Sequence, residues 1–370
     1  MSDLFNSLLK EADNKYASVV EDGVIAGDIH SYVDTGSLSF NALLSGSIYA
    51  GLPGNSVTAL AGEPATGKTF IAINVVKKFL DENPKGFVFY FESESAISQK
   101  MLIDRGVDIR RIAIAPVMTV QEFRTQIIRI LNKYMETPKK DRPPMFFVLD
   151  SLGNLSTEKE MTDIQEGKDV RDMTRSQLIK GAFRAITLKL GIADCVLLVT
   201  NHVYDVVGAY VPMKKMNGGS GLEYAASTII FLSKKKDKDK DSNEVTGAII
   251  TALVKKGRLT IENRKVEFLL NYQKGLDRYY GLLDLAEKFG IFKKISTKFQ
   301  LQDGISTAFE KHILRDPEKY FTPDVLAAIE EGCSQEFLYG GPGKHEEDSS
   351  EEEKLADIED MKLGVELGNT

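Results

Sequence analysis

The stretch Gly62–Thr69, GEPATGKT, constrains this chain more than any other. It fits G-x-x-x-x-G-K-[ST] and follows an apolar run, VTALA (57–61), while helical periodicity begins at about residue 68 and continues to about 81. Such a loop works in that strand–loop–helix order. Its glycines let the backbone curl so that N–H groups face phosphate, Lys68 brings positive charge to the β- and γ-phosphates, and Thr69 can bind Mg²⁺. The helix N-terminus adds a favourable dipole. From average residue usage the pattern arises by chance in roughly one chain of this length in a hundred, and its context lowers that further. Gly62, Glu63, Pro64, Ala65, Thr66, Gly67, Lys68, Thr69 and Phe70 are therefore the expected nucleotide-binding set, with ATP and Mg²⁺ as ligands.

The surrounding pattern predicts an α/β fold. FVFYF (87–91), IAIA (112–115), MFFVLD (145–150) and CVLLVT (195–200) are near-continuous apolar runs, as in a mostly parallel sheet covered on both faces. Helical stretches are expected at about 97–105, 120–135 and 172–190, the last with Ile179, Phe183, Ile186 and Leu190 on one stripe. After Ala225 the runs STIIFLS, GAIITALV and KVEFLL read as strands added antiparallel at one edge of the sheet. The mixed-sign run KKKDKDKD from Lys234 reads as a solvated hairpin tip. Leu4, Phe5, Leu8, Leu9, Ala12 and Tyr16 recur at helical spacing, so the chain opens with a short amphipathic helix, either a docking arm or packed on its own domain. The expected organisation is an N-terminal oligomerisation helix and linker (1–34), an ATPase core (35–285), a small helical module (286–340) and an acidic disordered tail (341–370).

Charge and cysteines narrow the function classes. The net charge is −7, but the last 26 residues carry ten acidic side chains and two lysines, so the body of the chain is close to neutral. A near-neutral body neither demands nor excludes a nucleic-acid partner, while an acidic tail is a solvating segment or a competitor for a basic surface. Two cysteines, Cys195 and Cys333, give neither a disulfide framework nor metal-ligand spacing. No apolar run approaches the ~20 residues needed to cross a bilayer, and the N-terminus lacks a signal-peptide core, so a cytoplasmic, non-membrane protein is expected.

Two further strand ends join the loop. MFFVLD delivers Asp150 at the carboxyl edge of a buried strand, where an isolated carboxylate is costly without a cation. Mg²⁺ held by Thr69 and Asp150 is the arrangement such a loop calls for. YFESESA ends its strand with Glu92 and Glu94, and hydrolysis needs a carboxylate able to orient a water in line with the γ-phosphate. An Asp ending a strand is also a common cap, and two loop glutamates are also compatible with plain solvation.

TGSLSFNALLSG, GEPATGKT, FESESA, DRGVDIRRI, VLDSLGNL, TNH, NGGSGLEYAAS, KKGR and GLDRYYGLLDLA occur in that order. With them the chain resembles the RecA family of recombinases, most closely the UvsX-type recombinases of bacteriophages, over about residues 35–290. The resemblance implies that Glu94 activates water with Glu92 in support, and that His202 senses the γ-phosphate. It also implies that Lys256 and Arg258 reach the ATP of a neighbouring subunit. DNA-binding loops are implied at about 156–171 and 203–221, with contacts from Arg171, Arg175, Lys180, Lys214, Lys215, Asn217, Gly218 and Gly219. In the second loop the glycines bring backbone close to phosphate, and the chain re-enters the sheet at Glu223–Ala226. The first loop is a poor anion site by charge alone, with six acidic and four basic residues between Ser156 and Arg175. Met101 stands where relatives place a tyrosine that stacks on adenine.

The expected function is then a DNA-dependent ATPase that forms helical filaments on single-stranded DNA and exchanges strands with a homologous duplex. Single-strand-binding and loader proteins are the expected partners, in the cytoplasm of a bacterial host if the protein is viral. A hexameric helicase of the same fold and a regulatory ATP-binding protein without DNA activity are the alternatives, and a small-molecule kinase lacks an acceptor motif.

Overall fold

Two apolar surfaces, one on each face of a single sheet, organise the chain. The computed structural model describes residues 3–168, 172–205, 214–217, 220–238 and 244–340. Residues up to Tyr339 form one compact unit. Helix α1 (Asp3–Glu11) opens it with Leu4, Phe5 and Leu8 exposed, and stops short of the predicted Ala12 and Tyr16. Strands β1 (Tyr32–Val33) and β2 (Leu52–Pro53) pair antiparallel and flank α2 (Leu38–Ser45), which is buried along its whole length.

The core then alternates as the apolar runs predict: β3 (Val57–Gly62), α3 (Lys68–Glu82), β4 (Phe87–Glu92), α4 (Gln99–Asp104), β5 (Ile112–Pro116), α5 (Val120–Glu136) and β6 (Met145–Asp150). It continues with α6 (Glu158–Gln165), α7 (Arg175–Ala193), β7 (Val196–Asp205), β8 (Lys214–Met216), α8 (Ser220–Ala225), β9 (Thr228–Lys238), β10 (Val245–Gly257), β11 (Lys265–Asn271) and β12 (Gly275–Leu276). These ten strands form one sheet in the order β12-β11-β10-β9-β3-β7-β6-β4-β5, with β8 attached to the end of β7. The strands from β9 to β5 along that order are parallel, and β10, β11 and β12 add antiparallel at one edge.

Side chains alternate across a strand, so each buried strand feeds two cores. Phe146 and Val148 of β6 join Tyr90, Leu198 and Ile230 on the α3 face. Met145, Phe147 and Leu149 join Phe91, Phe123 and Phe183 on the face covered by α5 and α7. Phe147, fully buried and stacked on Phe91 and Phe89, is a site where truncation to Ala costs about 3–5 kcal/mol. The same parity directs Tyr90, Asp150 and Thr200 toward α3, where the phosphate-binding loop ends.

Several expectations change. The strand beginning near Cys195 runs through Asp205, so His202 lies within a strand, and Val203, Tyr204 and Asp205 pair with Met216, Lys215 and Lys214. The chain is helical at Ser220–Ala225 and re-enters the central sheet at Thr228, not at Glu223–Ala226. The predicted first loop contains α6, opened by a capping box between Thr157 and Glu160. Asp172 also bonds Thr157 and Thr174, so part of the acidity that made this loop a poor anion site serves its own folding. The charged run begins inside β9, where Lys235 pairs with Glu267 of β11 across the intervening β10. Arg171, residues 206–213 of the predicted second loop, Gly218 and Gly219, the remainder of the charged run at 239–241 and the tail at 341–370 lie outside the described residues.

The C-terminal module is mixed. Besides α9 (Leu282–Lys288), α10 (Glu310–Arg315), α11 (Pro317–Tyr320) and α12 (Pro323–Phe337), it contains an antiparallel sheet of β13 (Lys293–Ile295), β14 (Lys298–Gln300) and β15 (Thr307–Phe309). The strands are too short and too polar to stand out as apolar runs. The module is joined to the core: Ile261 N–H donates to Phe337, and Ile48 N–H donates to the Glu330 carboxylate.

Candidate nucleotide-binding site

The phosphate-binding loop emerges from β3 and enters α3 through Gly67, whose φ of +97° only glycine adopts without strain. Lys68 lies almost buried at the start of α3, and its Nζ donates to the carbonyls of Gly62 (2.9 Å) and Glu63 (3.0 Å). Burial pushes the Lys68 amine below its usual value, partly offset by the negative charges of Glu94 and Asp150. A cavity of about 430 Å³ opens beside the loop. Ala65 to Phe70, Glu94, Met101, Asp150 and His202 line it, so the structure brings these sequence-predicted residues together. Lys234 of β9, Leu270 of β11 and Tyr272 just after β11 also line it; no motif marks them, because strand order alone brings them beside the loop. Gly62 ends β3, Pro64 is exposed within the loop, and the Arg105 guanidinium lies 4.1 Å above the Phe70 ring.

Glu92 and Glu94 have different surroundings. The Glu92 carboxylate accepts the backbone N–H groups of Glu94 (3.0 Å) and Ala96 (2.8 Å), so it shapes the turn after β4. Glu94 faces the cavity. Its Oε1 accepts Ser151 Oγ at 2.6 Å and contacts His202 Nε2 at 3.0 Å. Burial pushes the Glu94 carboxyl up, but the hydrogen bonds from Ser151 and His202 and the charges of His202 and Lys68 outweigh it, leaving it below its ordinary value. Glu94 is thus an ionised acceptor at the cavity wall. His202 Nδ1 is buried without a partner among the described residues.

Ser151 is held in turn. Its N–H donates to Ser93 Oγ, and Ser93 Oγ donates to the Ser151 carbonyl, both at 2.8 Å, so the turns after β4 and β6 are stitched together. Asp150 is nearly inaccessible. Its Oδ2 accepts Tyr90 OH at 2.7 Å and its Oδ1 accepts Thr200 Oγ1. Burial, then the nearby carboxylates, hold the Tyr90 phenol far above its usual value, so it remains a donor. No cluster of three or more His, Cys, Asp or Glu is placed to hold a metal among the described residues. One threonine hydroxyl and one carboxylate beside a phosphate loop do fit Mg²⁺, which keeps waters and takes most of its remaining ligands from substrate phosphates.

His202 also connects the cavity to the predicted second DNA loop. Asn217 N–H donates to the His202 carbonyl (2.9 Å), and Asn201 Nδ2 donates to the Asn217 carbonyl (2.8 Å). Gly153 is pressed against this junction, and a Cβ there would meet Asn201 Oδ1 at 3.1 Å. Arg175 donates to the carbonyls of Leu155 (2.9 Å) and Gly153 (2.8 Å), so its guanidinium ties down the base of the first loop. Lys214 pairs with Glu63, while Lys215 is exposed.

The remaining predicted residues gather elsewhere. A groove of about 630 Å³, sharing no residue with the nucleotide cavity, is lined by Lys180, Arg184, Tyr224 and Arg258 among others. Lys180 Nζ lies 4.7 Å from the centre of the Tyr224 ring. Lys256 donates to the carbonyls of Glu223 and Tyr224 at the end of α8.

The model of the RecA N-terminal domain matches residues 7–277. The chain belongs to the RecA family. It is 28% identical over 294 residues to the recombination and repair protein of Enterobacteria phage T4, covering 80% of this chain and 73% of that protein. It is 26% identical over 307 residues to the RecA protein of Chloroherpeton thalassium, covering 81% and 80%. The RecA protein of Paracoccus denitrificans is 26% identical over 306 residues, covering 80% and 79%. For this RecA-family chain no helix among the described residues is long and apolar enough to cross a membrane.

Proposed function

We propose that the chain is an ATP-dependent homologous recombinase, acting in recombination and repair as a filament on single-stranded DNA that pairs and exchanges strands with a homologous duplex. The observation that carries this reading is the 3.0 Å contact of His202 with Glu94. It joins the residue best placed to act on water to the strand that leads into the predicted DNA loop. A γ-phosphate seated between Lys68 and Glu94 perturbs that contact, and β7 and β8 carry the change outward. The names of the relatives, recombination and repair protein and RecA, support the same reading.

In this reading Lys68 and the loop amides hold the phosphates, and Glu94 accepts the proton of the attacking water. Thr69 and Asp150 hold Mg²⁺, which supplies charge neutralisation on the phosphate oxygens. Lys180, Lys214 and Lys215 supply phosphate contacts to DNA, whose sequence is read by base pairing. Lys256 and Arg258, which do not line their own cavity, act on the nucleotide of a neighbouring subunit. Self-association draws on the exposed apolar face of α1 and on the edge strand β5, which borders a groove lined by Ile97, Leu102 and Ile114. A head-to-tail contact of that kind that does not close makes a filament. Single-strand-binding and loader proteins complete the proposed partners. The test is a D-loop assay with ATP: product is expected with a homologous duplex and not with an unrelated one. Equal product from both, or none under conditions where the protein binds single-stranded DNA, would overturn the reading.

A further inference from the structure

The two oxygens of Asp150 are each met by a hydroxyl from a neighbouring strand. Tyr90 on β4 reaches Oδ2 at 2.7 Å, and Thr200 on β7 reaches Oδ1. All three side chains are buried, at 0% exposure for Tyr90 and Thr200 and 2% for Asp150. Strand register makes this possible: Leu149 lies beside Val199, so Asp150 and Thr200 are the next neighbours, and Tyr90 lies diagonally across on β4 beside Val148.

A bare structural role does not account for the pair. The strands around Tyr90 are built from phenylalanine, with Phe89, Phe91, Phe146 and Phe147 on β4 and β6, and a phenyl ring at position 90 would fill the same space without a hydroxyl. A buried hydroxyl costs free energy unless it is bonded, and a threonine in a fully buried strand interior costs more than valine for the same reason. Both hydroxyls converge on the one acidic residue expected to serve the metal.

We propose that Tyr90 and Thr200 are positioning residues for Mg²⁺. They fix the rotation of the Asp150 carboxylate and occupy two of its roughly four lone-pair positions, directing the rest toward the cavity side. The inference rests on the Mg²⁺–ATP reading of the cavity and extends it to two residues outside the phosphate loop. Groups that hold a metal-serving carboxylate are worth about tenfold or more in metal affinity.

The test uses isosteric variants of the full chain: Tyr90→Phe and Thr200→Val remove one hydroxyl each, and Thr200→Ser retains it. Binding of a fluorescent ATP analogue is measured in EDTA and across a Mg²⁺ titration, with folding checked by circular dichroism. The expected result is a Mg²⁺ midpoint raised about tenfold in Tyr90→Phe and Thr200→Val, unchanged in Thr200→Ser, with equal analogue affinity for all in EDTA. A midpoint that stays put or falls in the folded variants overturns the proposal. So does loss of fold in both hydroxyl-free variants, which assigns the pair to the core and not to the metal. Failure of the unmodified chain to bind the analogue, or to respond to Mg²⁺, defeats the underlying reading of the cavity instead.

Discussion

Lys214 Nζ forms an ion pair with the Glu63 carboxylate, linking β8 to the second residue of the phosphate-binding loop. The pair lowers the Glu63 carboxyl and raises the Lys214 amine from their ordinary values, in each case first through the hydrogen bond they share. A lysine proposed to meet DNA phosphate is therefore already matched to an anion on the nucleotide loop.

DNA phosphate and Glu63 then compete for one ammonium. Glu63→Gln is expected to tighten single-stranded DNA binding about two- to fivefold, the scale of an exposed ion pair, and to narrow the difference between binding with and without ATP. Anisotropy titrations of a labelled oligonucleotide measure both. Identical affinities in the two proteins would show that Glu63 does not restrain Lys214.

Lys68→Ala removes the only ammonium within the loop itself and is expected to lower ATP turnover at least about a hundredfold, abolishing strand exchange with it. Steady-state ATP hydrolysis with saturating single-stranded DNA checks this. Turnover near that of the unmodified chain would refute the placement of the phosphates.

The pH dependence has a definite sign. The folded Glu94 carboxyl titrates below its ordinary value of 4.5. Its contribution to stability is thus complete above the unfolded value and is lost as pH falls through the lower, folded one. Hydrolysis that needs ionised Glu94 should keep its acid limb below 4.5. Ser151→Ala removes a 2.6 Å donor while burial continues to push the carboxyl up, so the acid limb of kcat/KM should move toward neutral pH. An unmoved limb would place the essential acid elsewhere.

Arg175 and Lys180 should separate in salt titrations. Arg175→Ala leaves the carbonyls of Gly153 and Leu155 without their donor and is expected to cost about 2 kcal/mol of stability, with the salt slope of DNA binding unchanged. Lys180→Ala is expected to leave stability nearly unchanged and to reduce that slope by about 0.7. Urea melts and binding at several salt concentrations distinguish the two behaviours. Equal slopes for Lys180→Ala and the unmodified chain would remove Lys180 from the DNA contacts.

The sequence by itself determined the elements whose cause is local. A loop of fixed spacing between an apolar run and a helical stretch located Lys68 and Thr69, and continuous apolar runs located the parallel strands, because a strand buried on both faces must be apolar throughout. It also brought Asp150 and Glu94 to strand ends. Tertiary structure alone decided which groups met them. Tyr90 reads as one more aromatic in FVFYF and Thr200 as one more β-branched residue in CVLLVT, until strand order β7-β6-β4 sets both beside Asp150. Glu92 and Glu94 are alike in sequence, and only the turn between them makes one a backbone acceptor and the other a wall of the cavity. The charge of Arg175 is visible in the sequence, while the three carbonyls its guanidinium meets are not. Hydrogen bonds between residues distant in sequence depend on register and layer order, which periodicity does not encode.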